Sequence, residues 1–164
     1  MDMVKSIRFL PPNPLAEKAV RLPATSVDEL CEKATQAVKQ AKGPLFGRLE
    51  EEAYRLKSTL DALMGRPGDL PDQIKALNAI AFELKGLGGM FGYQLVSDIS
   101  EHIVQMTKPD SLVTGDVLDV IGLQVDAVAL VIRERREGDG GESGRALVGS
   151  LKKAMGKVLA AHPG

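Results

Sequence analysis

Histidine, the side chain most often used to move protons near neutral pH, occurs only twice among the 164 residues of this chain. His162 lies two residues before the end of the sequence, and we expect it to be solvated. His102 lies in an apolar, helix-like segment. There we expect a boundary residue that is half-packed on the fold, with Asp98 and Glu101 within reach of its ring. Chemistry that depends on histidine must therefore use His102 or be absent.

The other nucleophiles and metal ligands are too scattered to predict a site. The single cysteine, Cys31, cannot form a disulfide within the chain, and no cluster of cysteine and histidine could hold a structural zinc ion. Asp98 and Glu101 lack a third ligand, and Ser97 and Ser100 lie outside any G-x-S-x-G elbow. We therefore predict no metal, no cofactor and no catalytic residue, and we expect Cys31 to be a small buried side chain.

The glycine-rich segment at residues 86–92 has the composition of a phosphate-binding loop but not its pattern. The dinucleotide fingerprint G-x-G-x-x-G needs glycine where Phe91 stands, and it needs a strand before it. A helical pattern precedes the segment instead, and no P-loop motif occurs in the chain. We predict that Gly88, Gly89 and Gly92 end one helix and turn into the next.

That preceding helix has two distinct faces when residues 74–88 are placed on a wheel at about 100° per residue. Six apolar residues that we expect to face the core lie on one side: Ile74, Leu77, Ile80, Ala81, Leu84 and Leu87. The opposite side carries an aromatic residue among small and charged ones: Lys75, Ala79, Phe82 and Gly86, flanked by Asn78 and Lys85. The wheel therefore predicts that the Phe82 ring points away from the core.

This second face has the properties of a docking surface. Glycine inside a helix costs about 1 kcal/mol relative to alanine, so Gly86 indicates a need for space. Phe82 would be an apolar anchor, with Ala79 and Gly86 as clearance. Lys75 and Lys85 would form a positive rim, and Asn78 a neutral polar contact. The alternative is that another element, such as the N-terminal segment or the last helix, covers Phe82.

The elements that position this face are predicted from apolar periodicity as six helices without a strand. We expect them at about residues 26–42, 45–64, 71–87, 93–107, 113–137 and 142–161. Gly43 and Pro44 should break the chain between the first two. Four prolines forbid a continuous helix in residues 1–25, which we interpret as an extended arm that packs on the body or docks a partner. Residues 26–164 would then form a single helical domain.

Composition excludes several functional classes. The formal net charge of −1 gives no electrostatic reason to bind nucleic acid or anionic lipid. The sequence contains no run of 18 apolar residues, so we predict no transmembrane helix. The N-terminal residues also lack the apolar run of a secretory signal. We therefore expect a cytoplasmic protein that binds neither nucleic acid nor membrane. The oligomeric state is open.

Residues 81–92, with the sequence AFELKGLGGMFG, resemble the signature of histidine-containing phosphotransfer (Hpt) domains. That signature is His-x-x-Lys-Gly followed six residues later by Gly, and it matches at Lys85, Gly86 and Gly92. Leu84, Phe91 and Tyr93 also resemble family members. The helices at about residues 49–136 match the family's antiparallel four-helix bundle in order and length. The resemblance thus implies an all-α, Hpt-like bundle with additional N- and C-terminal helices and the extended arm.

The resemblance fails at its central residue. The family's histidine, which exchanges a phosphoryl group with an aspartate of a receiver domain, falls on position 82, where this chain has Phe82. The family's lysine helps to hold the phosphoryl charge, and its glycine makes room for the receiver. Phenylalanine has no nucleophilic atom, so the resemblance implies a non-catalytic phosphorelay protein that docks a response-regulator receiver or a histidine-kinase-related protein. A phosphotransfer protein that uses His102, and a helical adaptor without a phosphorelay role, are the alternatives.

Overall fold

The computed structural model describes residues 26–65 and 70–162, and in these ranges all regular structure is helical. Five helices follow one another along the chain: α1 (Val27–Gly65), α2 (Leu70–Met90), α3 (Gln94–Met106), α4 (Gly115–Arg133) and α5 (Gly141–Ala161). The predicted all-α class is therefore confirmed for the described residues. The predicted arm at residues 1–25 lies outside them.

The first two predicted helices are one continuous helix, so the break expected at Gly43 and Pro44 is wrong. Helix α1 spans 39 residues and contains Pro44 in its interior. Proline removes one backbone hydrogen bond and crowds the carbonyl four residues before it, which here belongs to Gln40. Both Pro44 and Gln40 are exposed, so the released carbonyl can be hydrated and the helix tolerates the defect.

The chain divides into two units between Ala41 and Lys42, and the N-terminal part of α1 belongs to the first of them. Every residue from 26 to 40 is exposed, including the apolar Val27, Leu30 and Val38. The expectation that Cys31 is buried is wrong, because its side chain is exposed as well. Helical spacing correctly predicts the apolar stripe here, but spacing alone does not create a surface that covers it.

The second unit contains one hydrophobic core to which all five helices contribute. Helix α2 packs against α3, α3 packs against α4, and α5 packs against both α3 and α4. The part of α1 beyond Lys42 adds Leu49, Leu56 and Leu60, which are at most 1% exposed. Leu60 of α1 approaches Gly122 of α4, where an added Cβ would lie 3.9 Å from Leu60 Cδ2.

The turn between α2 and α3 is close-packed. Helix α2 was expected to end near Leu87 but continues to Met90. Gly88 lies in this last stretch, and an added Cβ there would be 2.8 Å from the backbone nitrogen of Ser97 in α3. Gly92 has φ +80°, a backbone conformation that favours glycine. The glycines thus permit the close crossing and the turn, although the helix itself does not stop at the first of them.

The remaining helices agree with their predicted positions to within a few residues. The Thr114 side chain accepts a hydrogen bond from the Val117 backbone at the start of α4, which is an ordinary N-terminal cap. Helix α4 ends at Arg133 rather than near Glu137. Among the described helices, none combines the length and the apolar character needed to cross a membrane.

Candidate functional site

Helix α2 has a buried face and an exposed face, and the candidate site lies on the exposed one. Leu77, Ala81 and Leu84 are 0% exposed in the core. Phe82 is 63% exposed, so helix α5, one of the elements considered as a cover, leaves most of the ring open. Ile74 and Leu87, at the two ends of the predicted core stripe, are only half-buried.

The surface around Phe82 is open. We call this surface the Phe82 face, and it consists of four exposed residues of α2: Lys75, Ala79, Phe82 and Gly86. Among the described residues, none has a heavy atom within 4 Å of a Cβ added to Gly86. The face spans eleven residue steps, or about 16 Å along the helix axis. An apolar ring with small residues one turn away on either side allows close approach by a partner's backbone.

Asn78, which was expected to contact a partner, is instead bound within the fold. Its side-chain amide donates hydrogen bonds to the backbone carbonyl of Val104 at 3.1 Å and to the hydroxyl of Thr107 at 2.9 Å. A third contact, to the Thr107 carbonyl, is 3.3 Å long. Because carbonyls at the end of a helix lack helical partners, the amide stabilises the end of α3 against α2.

Lys85, the other expected rim cation, forms an ion pair across the helices. Its Nζ atom lies 2.5 Å from Oε2 of Glu101 on α3, with the two side chains 40% and 33% exposed. Hydrogen bonding to Lys85, helped by Gln105, lowers the pKa of the Glu101 carboxyl below its ordinary value despite partial burial. Lys85 therefore contributes a charge that Glu101 neutralises at the edge of the Phe82 face. The sequence had instead suggested that Glu101 lies within reach of His102.

A second ion pair flanks Phe82 on the opposite side. Arg48 NH2 of α1 lies 2.5 Å from Glu83 Oε1 of α2. On the helical wheel, Glu83 and Lys85 lie on opposite sides of Phe82, and each belongs to an ion pair. Nothing in the local sequence indicates either pair, because the partners are 35 residues apart in one case and 16 in the other.

An apolar groove adjoins the N-terminal end of the Phe82 face, where Lys75 and Asn78 form part of its wall. Its other walls come from the start of α2 and from the segment between α3 and α4, and they include Leu70, Ile74 and Leu112. Leu112 is 57% exposed. The groove extends the accessible apolar surface beyond Phe82.

His102 is a core residue rather than a half-packed boundary residue. It is 7% exposed, and its Nδ1 lies 3.2 Å from Oε1 of Gln124 on α4. The Gln124 amide nitrogen donates to the Leu151 carbonyl of α5. Since that carbonyl can only accept, the amide oxygen faces the ring and Nδ1 must carry the proton. Gln124 of α4 therefore links the imidazole of α3 to the backbone of α5.

The neighbours expected for His102 bind other residues, and His162 is less exposed than expected. Asp98 accepts a hydrogen bond from Gln94, and Glu101 pairs with Lys85. His162 is only half-exposed, with Nε2 3.7 Å from Oδ2 of Asp116, so the expectation of a fully solvated tail residue is wrong.

Within residues 26–65 and 70–162, no group of three or more potential ligands from histidine, cysteine, aspartate and glutamate is placed to hold a metal ion. The geometry of the Phe82 face suits binding, since it offers an anchor, clearance and a groove. No protein-family model, no curated protein and no solved structure matches the chain.

Proposed function

We propose that this protein is a non-catalytic relative of Hpt domains that binds a response-regulator receiver domain through the Phe82 face. The proposal includes an Hpt-like antiparallel four-helix bundle at about residues 49–136, formed by the C-terminal part of α1 with α2, α3 and α4. Helix α5 and the N-terminal half of α1 are additions to this bundle. The motif at residues 81–92 supports the relationship.

The observation that carries the proposal is the 63% exposure of Phe82 at the position of the family's histidine. Its neighbours Ala79 and Gly86 leave the ring accessible to a partner. A lone aromatic ring in such surroundings is a typical interface anchor. Without a nucleophilic atom at position 82, the face can bind a receiver but cannot accept a phosphoryl group there.

A protein of this kind acts by occupying the receiver rather than by transferring a phosphoryl group. It can sequester a receiver from an active phosphotransfer domain, or it can stabilise one receiver conformation, because a ligand that prefers one state shifts the population towards it. A histidine-kinase-related protein is the second partner class that the resemblance implies. We do not assign transfer to His102, because that ring is 7% exposed and hydrogen-bonded to Gln124.

The test is a quantitative binding screen against the receiver domains encoded in the same genome. We expect at least one to bind, and we expect Phe82→Asp and Gly86→Arg to weaken that binding by tenfold or more, about 1.4 kcal/mol. The matched control is Tyr54→Asp, which changes an aromatic side chain on α1 that is 75% exposed and lies outside the face. Circular dichroism and thermal unfolding verify that each variant is folded.

Two results would contradict the proposal. Binding to no receiver would favour a helical adaptor without a phosphorelay role. Equal binding by wild type, Phe82→Asp and Gly86→Arg would place the interface elsewhere.

A companion variant, Phe82→His, restores the family's acceptor. Incubation with a phosphorylated receiver or with phosphoramidate should then produce an acid-labile phosphate that is absent from wild type. Phe82→Gln is the control, because glutamine is polar and similar in size to histidine but has no imidazole to accept the phosphoryl group. Labelling of wild type that is lost in His102→Ala would instead support transfer through His102.

A further inference from the structure

A phosphorylated receiver would bring a highly charged group to the centre of the Phe82 face. This follows from the proposed function, in which the receiver's aspartate faces position 82. A phosphoryl group carries a charge of about −1.5 to −2 and three strong acceptor oxygens. The Phe82 ring offers no hydrogen-bond donor, and the face of an aromatic ring is electron-rich. An anion held against the ring loses its hydration and gains no compensating hydrogen bond from the ring.

Within residues 26–65 and 70–162, the ion pairs next to Phe82 engage Lys85 and Arg48. Lys85, one turn away on α2, is paired with Glu101 at 2.5 Å. Arg48 is paired with Glu83 at the same distance. A phosphoryl group that approaches either cation also approaches the paired carboxylate, whose negative charge offsets the attraction.

The remaining lysine of α2 is too far along the helix to compensate. Lys75 precedes Phe82 by seven residues, about 10 Å along the axis. It can contact the edge of a docked protein but not a group held over the ring. Among the described residues, the centre of the face is thus apolar, and the Lys85–Glu101 and Arg48–Glu83 pairs beside it are neutral overall.

We infer that the Phe82 face discriminates between the two states of its receiver and binds the unphosphorylated form more tightly. The inference rests on the proposed function. Phosphorylation of the receiver would release it from this protein. Because coupling between two binding events is reciprocal, the bound protein would in turn disfavour the phosphorylated form of the receiver.

The test titrates the receiver that binds best in the screen, once in its unphosphorylated form and once loaded with beryllofluoride as a stable mimic of the aspartyl phosphate. We expect the dissociation constant to be at least about tenfold higher for the loaded receiver, equivalent to about 1.4 kcal/mol. Equal affinity for the two forms, or tighter binding of the loaded form, would overturn this inference and leave the docking function intact. Failure of both forms to bind would overturn both proposals.

A pair of variants tests the physical cause. Glu101→Gln removes the carboxylate that pairs with Lys85. The affinity of this variant for the loaded receiver should therefore be at least about threefold higher than that of wild type. Asp126→Asn is the matched control, because it removes a carboxylate that pairs with Lys57 outside the Phe82 face and leaves Lys85 and Arg48 paired. The quantity compared is the ratio of the dissociation constants of the loaded and the unphosphorylated receiver. An unchanged ratio in Glu101→Gln, or an equal change in both variants, would contradict the role assigned to the Lys85–Glu101 pair. The wild-type ratio tests the preference itself even if a variant is unstable.

Discussion

The two faces of α2 carry apolar side chains of similar size that are used differently. Leu84 is 0% exposed among core residues, whereas Phe82, two positions earlier, is 63% exposed. The same contrast holds for two glycines of this helix. A Cβ on Gly88 would collide with the α3 backbone, but a Cβ on Gly86 would meet no heavy atom of the described residues within 4 Å. The folded state therefore depends on one face and leaves the other exposed.

The largest expected effect separates Leu84 from Phe82. Leu84→Ala should lower the free energy of unfolding by about 2–5 kcal/mol, because it leaves a cavity in the core. Phe82→Ala should change it by less than about 0.5 kcal/mol, as expected for an exposed position. Denaturant unfolding of the two variants measures both values. A large decrease in the free energy of unfolding of Phe82→Ala would show that the ring is packed in the folded protein. It would remove the contrast between the two faces.

Gly88→Ala should be the next largest effect. Its Cβ would lie 2.8 Å from the Ser97 nitrogen and 2.9 Å from the Tyr93 carbonyl oxygen. Because backbone atoms cannot move aside as a side-chain end can, α3 must shift, at an expected cost of about 1–3 kcal/mol. Thermal and denaturant unfolding of Gly88→Ala measure this loss of stability. Unchanged stability would mean that the two helices are less closely packed than the structure indicates.

Gly86→Ala should act in the opposite direction. Alanine is favoured over glycine in a helix by about 1 kcal/mol, and position 86 has room for the methyl group. We expect the free energy of unfolding to rise by about 0.5–1 kcal/mol. A decrease would show that an element covers this position. A rise in stability accompanied by weaker receiver binding would indicate that the glycine serves binding rather than folding.

The smallest expected effect concerns the Lys85–Glu101 pair. The pKa of Glu101 is lowered in the folded state, so the pair stabilises the fold above the ordinary carboxyl pKa of 4.5 and loses this contribution as the pH falls through the lowered value. Both side chains are partly exposed, so the contribution should be about 0.2–1 kcal/mol. The difference in unfolding free energy between wild type and Glu101→Gln should shrink as the pH falls below about 4.5 and through the lowered value. A difference that is independent of pH and of salt would contradict this assignment.

Periodicity predicted much of the helical structure because it is a local property. It separated Leu77 and Leu84 from Phe82 and placed the later helices within a few residues. It failed at Pro44, since a helix that can hydrate one free carbonyl need not stop there. It also failed at Cys31, because an apolar stripe indicates a surface that can be covered but not whether anything covers it.

The partners of polar side chains could not be predicted. Asn78 was expected to face a partner but binds the end of α3. His102 was expected at a boundary but joins Gln124 in the core. Neither contact has a sequence signal, because each joins residues that are more than 20 positions apart.

The amino-acid sequence by itself determined that the chain is helical, that α2 has two unlike faces and that position 82 holds no nucleophile. These properties depend on residue type and on a repeat of about 3.6 residues, and both are read along one helix. Only the tertiary structure decided that Phe82 is open, that Gly88 rather than Gly86 is required for packing and that Glu101 holds Lys85. Those outcomes depend on distances between helices, which are set by how the whole core packs.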